Sequence, residues 1–453
     1  MPQLTSVEVE GLLGRFDHEI QFDADWDFVI VHGPNGIGKT KLLELVYSLC
    51  GGRLHRVFRL PFDTAELKYD DGTSLRVVKS GQQALPGMEE APDLPRLHIA
   101  VSGPLGDIEF DMGPEATVPE SRLRMIEREL PLDRIGPELW YDFELGDNIS
   151  LPEVVHRYGG MFPDDFFGRI RGSLPEQYQA LVDANPVHLI ETQRLLAPRV
   201  DRSAQGRRAP SPMTVVRYSA DMKSRISDAL ARNSTTTQRL DRSFPRRVMT
   251  AQDPEVTDEQ IRDRYREQGA LRDRLTAVSL IDAAEADLPL PDRELEAWER
   301  RFLWIYLEDT DEKLATFVPL LQRLQLFSEI VNARFLFKDL RIDRERGFHF
   351  VTDDLKEIGP ASLSSGEQHE LVLAYDLLFN VSSGSLVLID EPEISLHVSW
   401  QQEFLNDLTR VSELQSLRFM IATHSPQVIH KWWHRAKALY DTPPHGLERP
   451  TDA

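Results

Sequence analysis

A single cysteine, Cys50, stands in 453 residues. Disulfides and cysteine-rich zinc sites are therefore excluded, and a reducing, cytoplasmic setting is expected. No apolar run approaches the roughly 18 residues that a membrane span needs, so no membrane partner is expected. The opening MPQLTSVEVEGLL lacks the basic-then-apolar order of a signal peptide. Apolar heptads are nowhere sustained, which argues against a long coiled coil. Internal repeats and low-complexity tracts are absent. So are a Ser-hydrolase elbow and an H-E-x-x-H pair: His369 opens HELVL with no second histidine. His430 and His434 lack further metal ligands nearby. Pro291-Asp292 with Asp311-x-Lys313 mimics a nuclease signature, but the surroundings read as helix, and nuclease cores of that type need strands.

Basic residues are outnumbered, 52 Lys/Arg against 74 Asp/Glu. The net charge is −22, which argues against a surface built throughout for nucleic acid. The distribution is uneven, however. Residues 194–247 hold 13 Lys/Arg against 4 Asp/Glu, and residues 251–312 hold 8 against 18. This basic block, from Arg194 to Arg247, has three open readings: a solvated helical face offset by the acidic block behind it, a groove for DNA, or a pocket for an acidic protein.

The rest is ordinary globular composition, 41% hydrophobic and 28% charged. LTSVEVEGLL alternates as a half-exposed strand, and WDFVIVHG reads as a buried strand entering a glycine loop. A helix is expected from about Lys39 to Leu49, stopped by Gly51-Gly52. Short strands broken by turns follow to residue 112, and residues 115–185 read as mostly helical. PVHLIETQRLL begins as a buried strand. Residues 200–330 read as charged helices, with Leu295, Trp298, Phe302 and Ile305 on one face. Strands return from residue 334. The expected organisation is 1–195, a first α/β half; 196–330, a mainly helical insertion; and 331–453, the second half.

Four short stretches carry chemistry. GPNGIGKT, residues 33–40, fits G-x-x-x-x-G-K-[ST] in full and sits between a strand and a helix. Gly33, Pro34, Asn35, Gly36 and Gly38 would shape a loop whose amides turn inward around phosphate oxygens. Lys39 would reach the β- and γ-phosphates, Thr40 would ligand Mg²⁺, and the helix N-terminus adds its positive end. SLVLIDEPE ends a buried strand in Asp390 and Glu391. Asp390 would hold the metal, and Glu391 would polarise an attacking water. RFMIATHSP repeats the layout and ends in Thr423 and His424, which could sense a γ-phosphate. In SLSSGEQHELVLAYDLL, Ser364 and the amides around Gly366 open a helix and make a phosphate donor set. A capping box, with Ser364 and Glu367 satisfying each other's backbone amides, is the simpler reading and is compatible with it.

Leu363-Ser364-Ser365-Gly366-Glu367-Gln368, followed by that acidic strand end and His424, resembles the ABC-type ATPases. Their signature is typically L-S-G-G-Q, so Ser365 departs from it. The resemblance covers residues 4–195 and 330–440. It is strongest to stand-alone ATPases of bacterial anti-phage defence operons, PARIS-type ATPases foremost, with Septu and overcoming-lysogenisation-defect ATPases more distant. It implies a P-loop ABC-ATPase α/β fold, a mixed sheet with an antiparallel subdomain, interrupted by the insertion. It implies ATP and Mg²⁺ as cofactors, a D-loop at Glu393–His397, and Gln193 as the Q-loop ligand of nucleotide and metal. It further implies a homodimer or higher homo-oligomer closing on a sandwiched ATP, with Ser364 facing the other subunit's nucleotide. A separate effector, TOPRIM-like or another nuclease or toxin, would accompany it, since little chain follows His424. The trigger would be an acidic phage protein or DNA. A RecF- or SMC-like DNA-repair ATPase is the alternative reading.

Overall fold

A computed structural model describes residues 2–23, 25–80, 95–104, 106–113, 120–135, 139–143, 147–150, 154, 158, 174–190, 214–282 and 290–439. The architecture is mixed α/β. The chain divides into two compact units. One comprises Met1–Thr192, Val381–Ile394 and Gln401–Ala453; the other comprises Gln193–Asn380 and Ser395–Trp400.

The first unit contains a five-stranded parallel sheet in the order Val187–Ile190, Leu386–Asp390, Arg418–Thr423, Phe28–His32, Ala436–Ala438. Its central strands are continuous apolar runs: Phe28 to Val31, Val387 to Ile389 and Phe419 to Ala422 are all fully buried. Burial on both faces demands such runs, because neither side of the pleat meets water. Val29, Val31, Leu388, Met420 and Ala422 face one core with Leu42, Leu45, Val46 and Leu49 of the helix Lys39–Cys50. The same core is closed by a six-stranded antiparallel sheet running from residue 4 to residue 112. Its strands alternate as a one-sided sheet should, with Ala65, Leu67, Leu75, Val77, Leu97 and Ile99 inward.

Among the described residues of 115–185, helix is interrupted by strands. Helices occupy Glu120–Glu129 and Glu176–Ala184, but Leu132–Arg134, Leu139–Asp142 and Asp147–Ser150 pair as a small antiparallel sheet. Strands of three or four residues are too short to show a period. Tertiary contacts hold them instead: Trp140 is buried against Ile126 and Leu132, and Tyr158 donates to the buried Asp142 carboxylate at 2.6 Å.

The second unit is built on a 37-residue helix, Thr214–Thr250, that buries Val215, Tyr218, Met222, Ile226 and Ala229 at helical spacing. The strands Lys338–Asp343 and Gly347–Thr352 form a hairpin bolted to this helix. The Ser219 hydroxyl contacts the carbonyls of Arg346 and Phe348 at 2.6 and 2.9 Å, and Gly347 leaves room for that approach. A Cβ at Gly347 would lie 1.8 Å from the Ser219 carbonyl oxygen. The helix Ala297–Ala315 turns differently from the sequence expectation. Leu295, Leu303 and Leu307 pack on Ile261, whereas Trp298 is 56% exposed and its indole donates to Glu296 at 2.8 Å. The basic and acidic blocks meet here. Arg239 pairs with Glu312, and Arg247 grips Asp309 at 2.5 and 2.6 Å. The arginines 194, 199, 202, 207 and 208 lie outside the described residues.

The same helix clasps the helix Ser365–Tyr375 and the π-turn Asp376–Asn380 that follows it. Tyr218 donates to Asp376, and Tyr375 donates to Asp221 at 2.6 Å. The two phenol rings stack with centroids 4.5 Å apart.

Candidate functional site

Parallel pairing sets the site. Asp390 lies beside Ala422, and Thr423 lies beside His32, so three strands end at one edge of the sheet. In open parallel sheets this carboxyl edge is where ligands bind, because loops and helix N-termini converge there. The loop after His32 carries residues 33–40. Gly36 and Gly38 take positive φ, 88° and 97°, and Gly38 starts the helix from a left-handed conformation. The hairpin between the first two strands supports the loop. A Cβ at Gly38 would lie 2.8 Å from Leu12, and the His18 Nε2 is 3.1 Å from the Ile37 carbonyl. Sequence reading missed this hairpin, whose only signal is the turn LLGRF just upstream. Gly38→Ala is expected to cost about 1–3 kcal/mol, the usual range for a residue forced into left-handed backbone. A thermal melt and a nucleotide titration of the variant measure it.

The loop's end meets the acidic strand end. The Thr40 hydroxyl lies 3.1 and 3.0 Å from the two carboxylate oxygens of Asp390. The Lys39 ammonium donates to the Gly33 carbonyl at 2.9 Å and lies 3.5 Å from Glu391. Lys39 is 5% exposed and Asp390 8%. Adjacent residues of a strand point to opposite faces, so Asp390 and Glu391 could not both address the loop from regular β-structure. Glu391 breaks the alternation by taking φ of +45°, while its amide still donates to the Ala422 carbonyl at 2.8 Å. Burial pushes the Asp390 carboxyl above its usual range, opposed by the Thr40 hydroxyl and the Lys39 charge. Burial, then the neighbouring Glu393, push Glu391 upward as well, opposed by His424 and Lys39.

Thr40 and Asp390 offer hard oxygen donors next to each other, and that donor set fits Mg²⁺, which keeps several waters and takes phosphate oxygens besides. Glu391, Glu393 and His424 also cluster, with facing atoms within 4.8 Å. Several of their atoms already make hydrogen bonds. His424 Nδ1 bonds Glu391, and Glu393 Oε1 accepts from Thr423, His424 and Ser425.

Ser364 and Gly366 lie in the second unit. Ser364 caps the helix Ser365–Tyr375 in a full capping box: its amide donates to Glu367 at 2.8 Å, and its hydroxyl accepts from the Glu367 amide. Lys338 holds the same Glu367 at 2.7 and 2.8 Å. Gln193 lies outside the described residues. Among the described residues no helix is long and apolar enough to cross a membrane.

Residues 209–430 match the family described as "AAA domain, putative AbiEii toxin, Type IV TA system". That span includes the Ser364 turn, the acidic strand end and His424. A 105-residue stretch is 32% identical to the retron Ec83 probable ATPase of Escherichia coli, covering 21% of this chain and 19% of that protein. The chain therefore matches about a fifth of that relative's length. Among solved structures, the SMC head domain of Pyrococcus furiosus bound to ScpA aligns with 95% of this chain and 91% of its own, at 13% identity and a TM-score of 0.32. The SMC head domain of Thermotoga maritima aligns with 96% and 92%, at 10% identity and the same TM-score.

Proposed function

We propose that this chain, a P-loop ATPase of AAA/ABC type, binds Mg²⁺-ATP at the carboxyl edge of its parallel sheet, hydrolyses it, and uses the cycle to control a separate effector in anti-phage defence. The observation that carries the reading is the contact between Thr40 and Asp390, residues 350 positions apart in sequence. It brings the phosphate loop and the acidic strand end into one site, with Lys39 and Glu391 beside them. Mg²⁺ held there would neutralise charge on the phosphates. Lys39 binds phosphate oxygens, Glu391 accepts a proton from the attacking water, and His424, bonded to Glu391, completes the group. Lys39→Ala is expected to weaken ATP binding roughly 10- to 100-fold, the worth of a charge-assisted hydrogen bond. Undiminished affinity in an equilibrium titration would end the reading.

Dimerisation is the second element of the proposal. Ser364 and the amides near Gly366 form an N-terminal donor set, which suits a phosphate supplied by another copy. Ser364→Arg is expected to leave ATP affinity of the monomer within about twofold, yet abolish the ATP-dependent rise in mass seen by sizing with light scattering. A variant that still associates with ATP removes Ser364 from the interface. The defence role rests on similarity to a retron ATPase and to a toxin–antitoxin AAA family. A PARIS-type arrangement, with the effector on another chain, is its most specific form. Co-purification with the products of adjacent genes tests it, and the absence of any bound neighbour removes the effector.

A further inference from the structure

Glu393 opens the EISLH stretch, which the resemblance places at the D-loop without giving Glu393 a role of its own. Its side chain is nevertheless only 7% exposed. An ionised carboxylate is costly to bury unless several donors converge on it. Three do, on one oxygen. Glu393 Oε1 accepts from the Thr423 hydroxyl at 2.6 Å, the His424 amide at 2.9 Å and the Ser425 amide at 3.1 Å. These donors are consecutive residues of the turn leaving the strand Arg418–Thr423. The turn is pinned again from the other side. The Ser425 hydroxyl donates to the Gln401 side chain at 2.9 Å, and Gln401 donates to the Glu393 carbonyl at 3.4 Å.

The His424 ring is held as well as its backbone. Nδ1 lies 3.2 Å from Glu393 Oε1 and bonds Glu391 Oε2. A ring nitrogen facing two carboxylates carries the hydrogen, which assigns the tautomer and leaves Nε2 for other partners. Glu393 therefore grips the backbone at His424 and shares the proton-bearing nitrogen with Glu391.

We propose that Glu393 is a positioning residue of the ATPase site: it sets the turn that orients His424, and through His424 it holds Glu391 for the attacking water. The inference rests on the ATPase reading above. Glu393 acts through Thr423, His424 and Ser425, so its removal should affect the chemical step and spare binding.

The test is steady-state ATPase kinetics on the full chain for Glu393→Ala, Glu393→Gln, His424→Ala and the Glu393→Ala/His424→Ala double variant, with a thermal melt of each. Glu393→Ala should lower kcat about 10- to 100-fold, the scale of a misplaced catalytic group, with KM for ATP within about twofold. Glu393→Gln keeps an acceptor oxygen for the three donors and should recover kcat to within about fivefold of wild type. In the His424→Ala background, Glu393→Ala should cost less than about twofold more, because the two act in series. Three results would overturn the inference: additive losses in the double variant, a KM that rises with the fall in kcat, or a glutamine variant no better than alanine. Should Glu393→Ala fail to fold, the glutamine variant and its combination with His424→Ala still decide. A wild-type chain without ATP turnover would instead sink the ATPase reading itself.

Discussion

Glu391→Gln is expected to hold ATP but turn it over about 10²- to 10⁴-fold more slowly, the range that loss of a general base produces. Both halves follow from the role proposed for Glu391. Glutamine keeps the size of the side chain and an oxygen for His424, so the phosphate loop, Thr40 and Asp390 stay in place. It cannot take a proton from water. It also removes the negative charge 3.5 Å from the Lys39 ammonium, which frees that cation for phosphate. ATP affinity should therefore hold or rise while kcat collapses. Single-turnover hydrolysis and an equilibrium binding assay read the two effects separately. Loss of both would mean that the variant damages the fold, and unchanged turnover would place the base elsewhere.

Arg334→Met is expected to unfold the second unit at markedly lower denaturant, with a stability loss of about 3–5 kcal/mol, the cost of removing one partner of a buried ion pair. Arg334 follows the helix Val318–Asn332, and Glu370 lies in the helix that Ser364 caps. They pair directly, with side chains 6% and 3% exposed. Removing the guanidinium takes an ion-pair partner from a carboxylate that is only 3% exposed, with Leu371 buried next to it in sequence. Replacing both, as Arg334→Met with Glu370→Leu, should recover most of the loss, since a buried pair exchanged for apolar groups is often neutral or better. Urea unfolding of the three chains measures this. A single-variant loss below about 1 kcal/mol would show that Glu370 finds other compensation.

What could be read from sequence follows a physical division. Lys39 and Thr40 open the helix after a glycine loop, and Asp390, Glu391 and His424 stand at or just past the ends of buried apolar strands; such local patterns need no knowledge of the fold. The capping box at Ser364 and Glu367 spans four residues and is equally local. Glu393 escaped because its partners, Thr423 to Ser425, lie some thirty positions away, and a second acid after a proline looks like loop. The Arg334–Glu370 pair and the His18 contact to the phosphate loop are likewise non-local. The small sheet between residues 132 and 150 is too short to carry a period. Trp298 misled because an aromatic at helical spacing suggests core, whereas its indole found Glu296 at the surface.

The paired Tyr–Asp clasp between the long helix and the Ser364-capped helix has a mechanical consequence. Two hydrogen bonds of opposite direction and a ring stack resist both sliding and twisting, so the long helix is coupled to the capped helix near Tyr218 and Asp221. From Met222 to Phe244, before the break that Pro245 invites, the arm is about 33 Å long at 1.5 Å per residue. A tilt of about 5° at the capped helix displaces its far end by about 3 Å. That is the scale of a packed contact opening or closing at the far end of the helix.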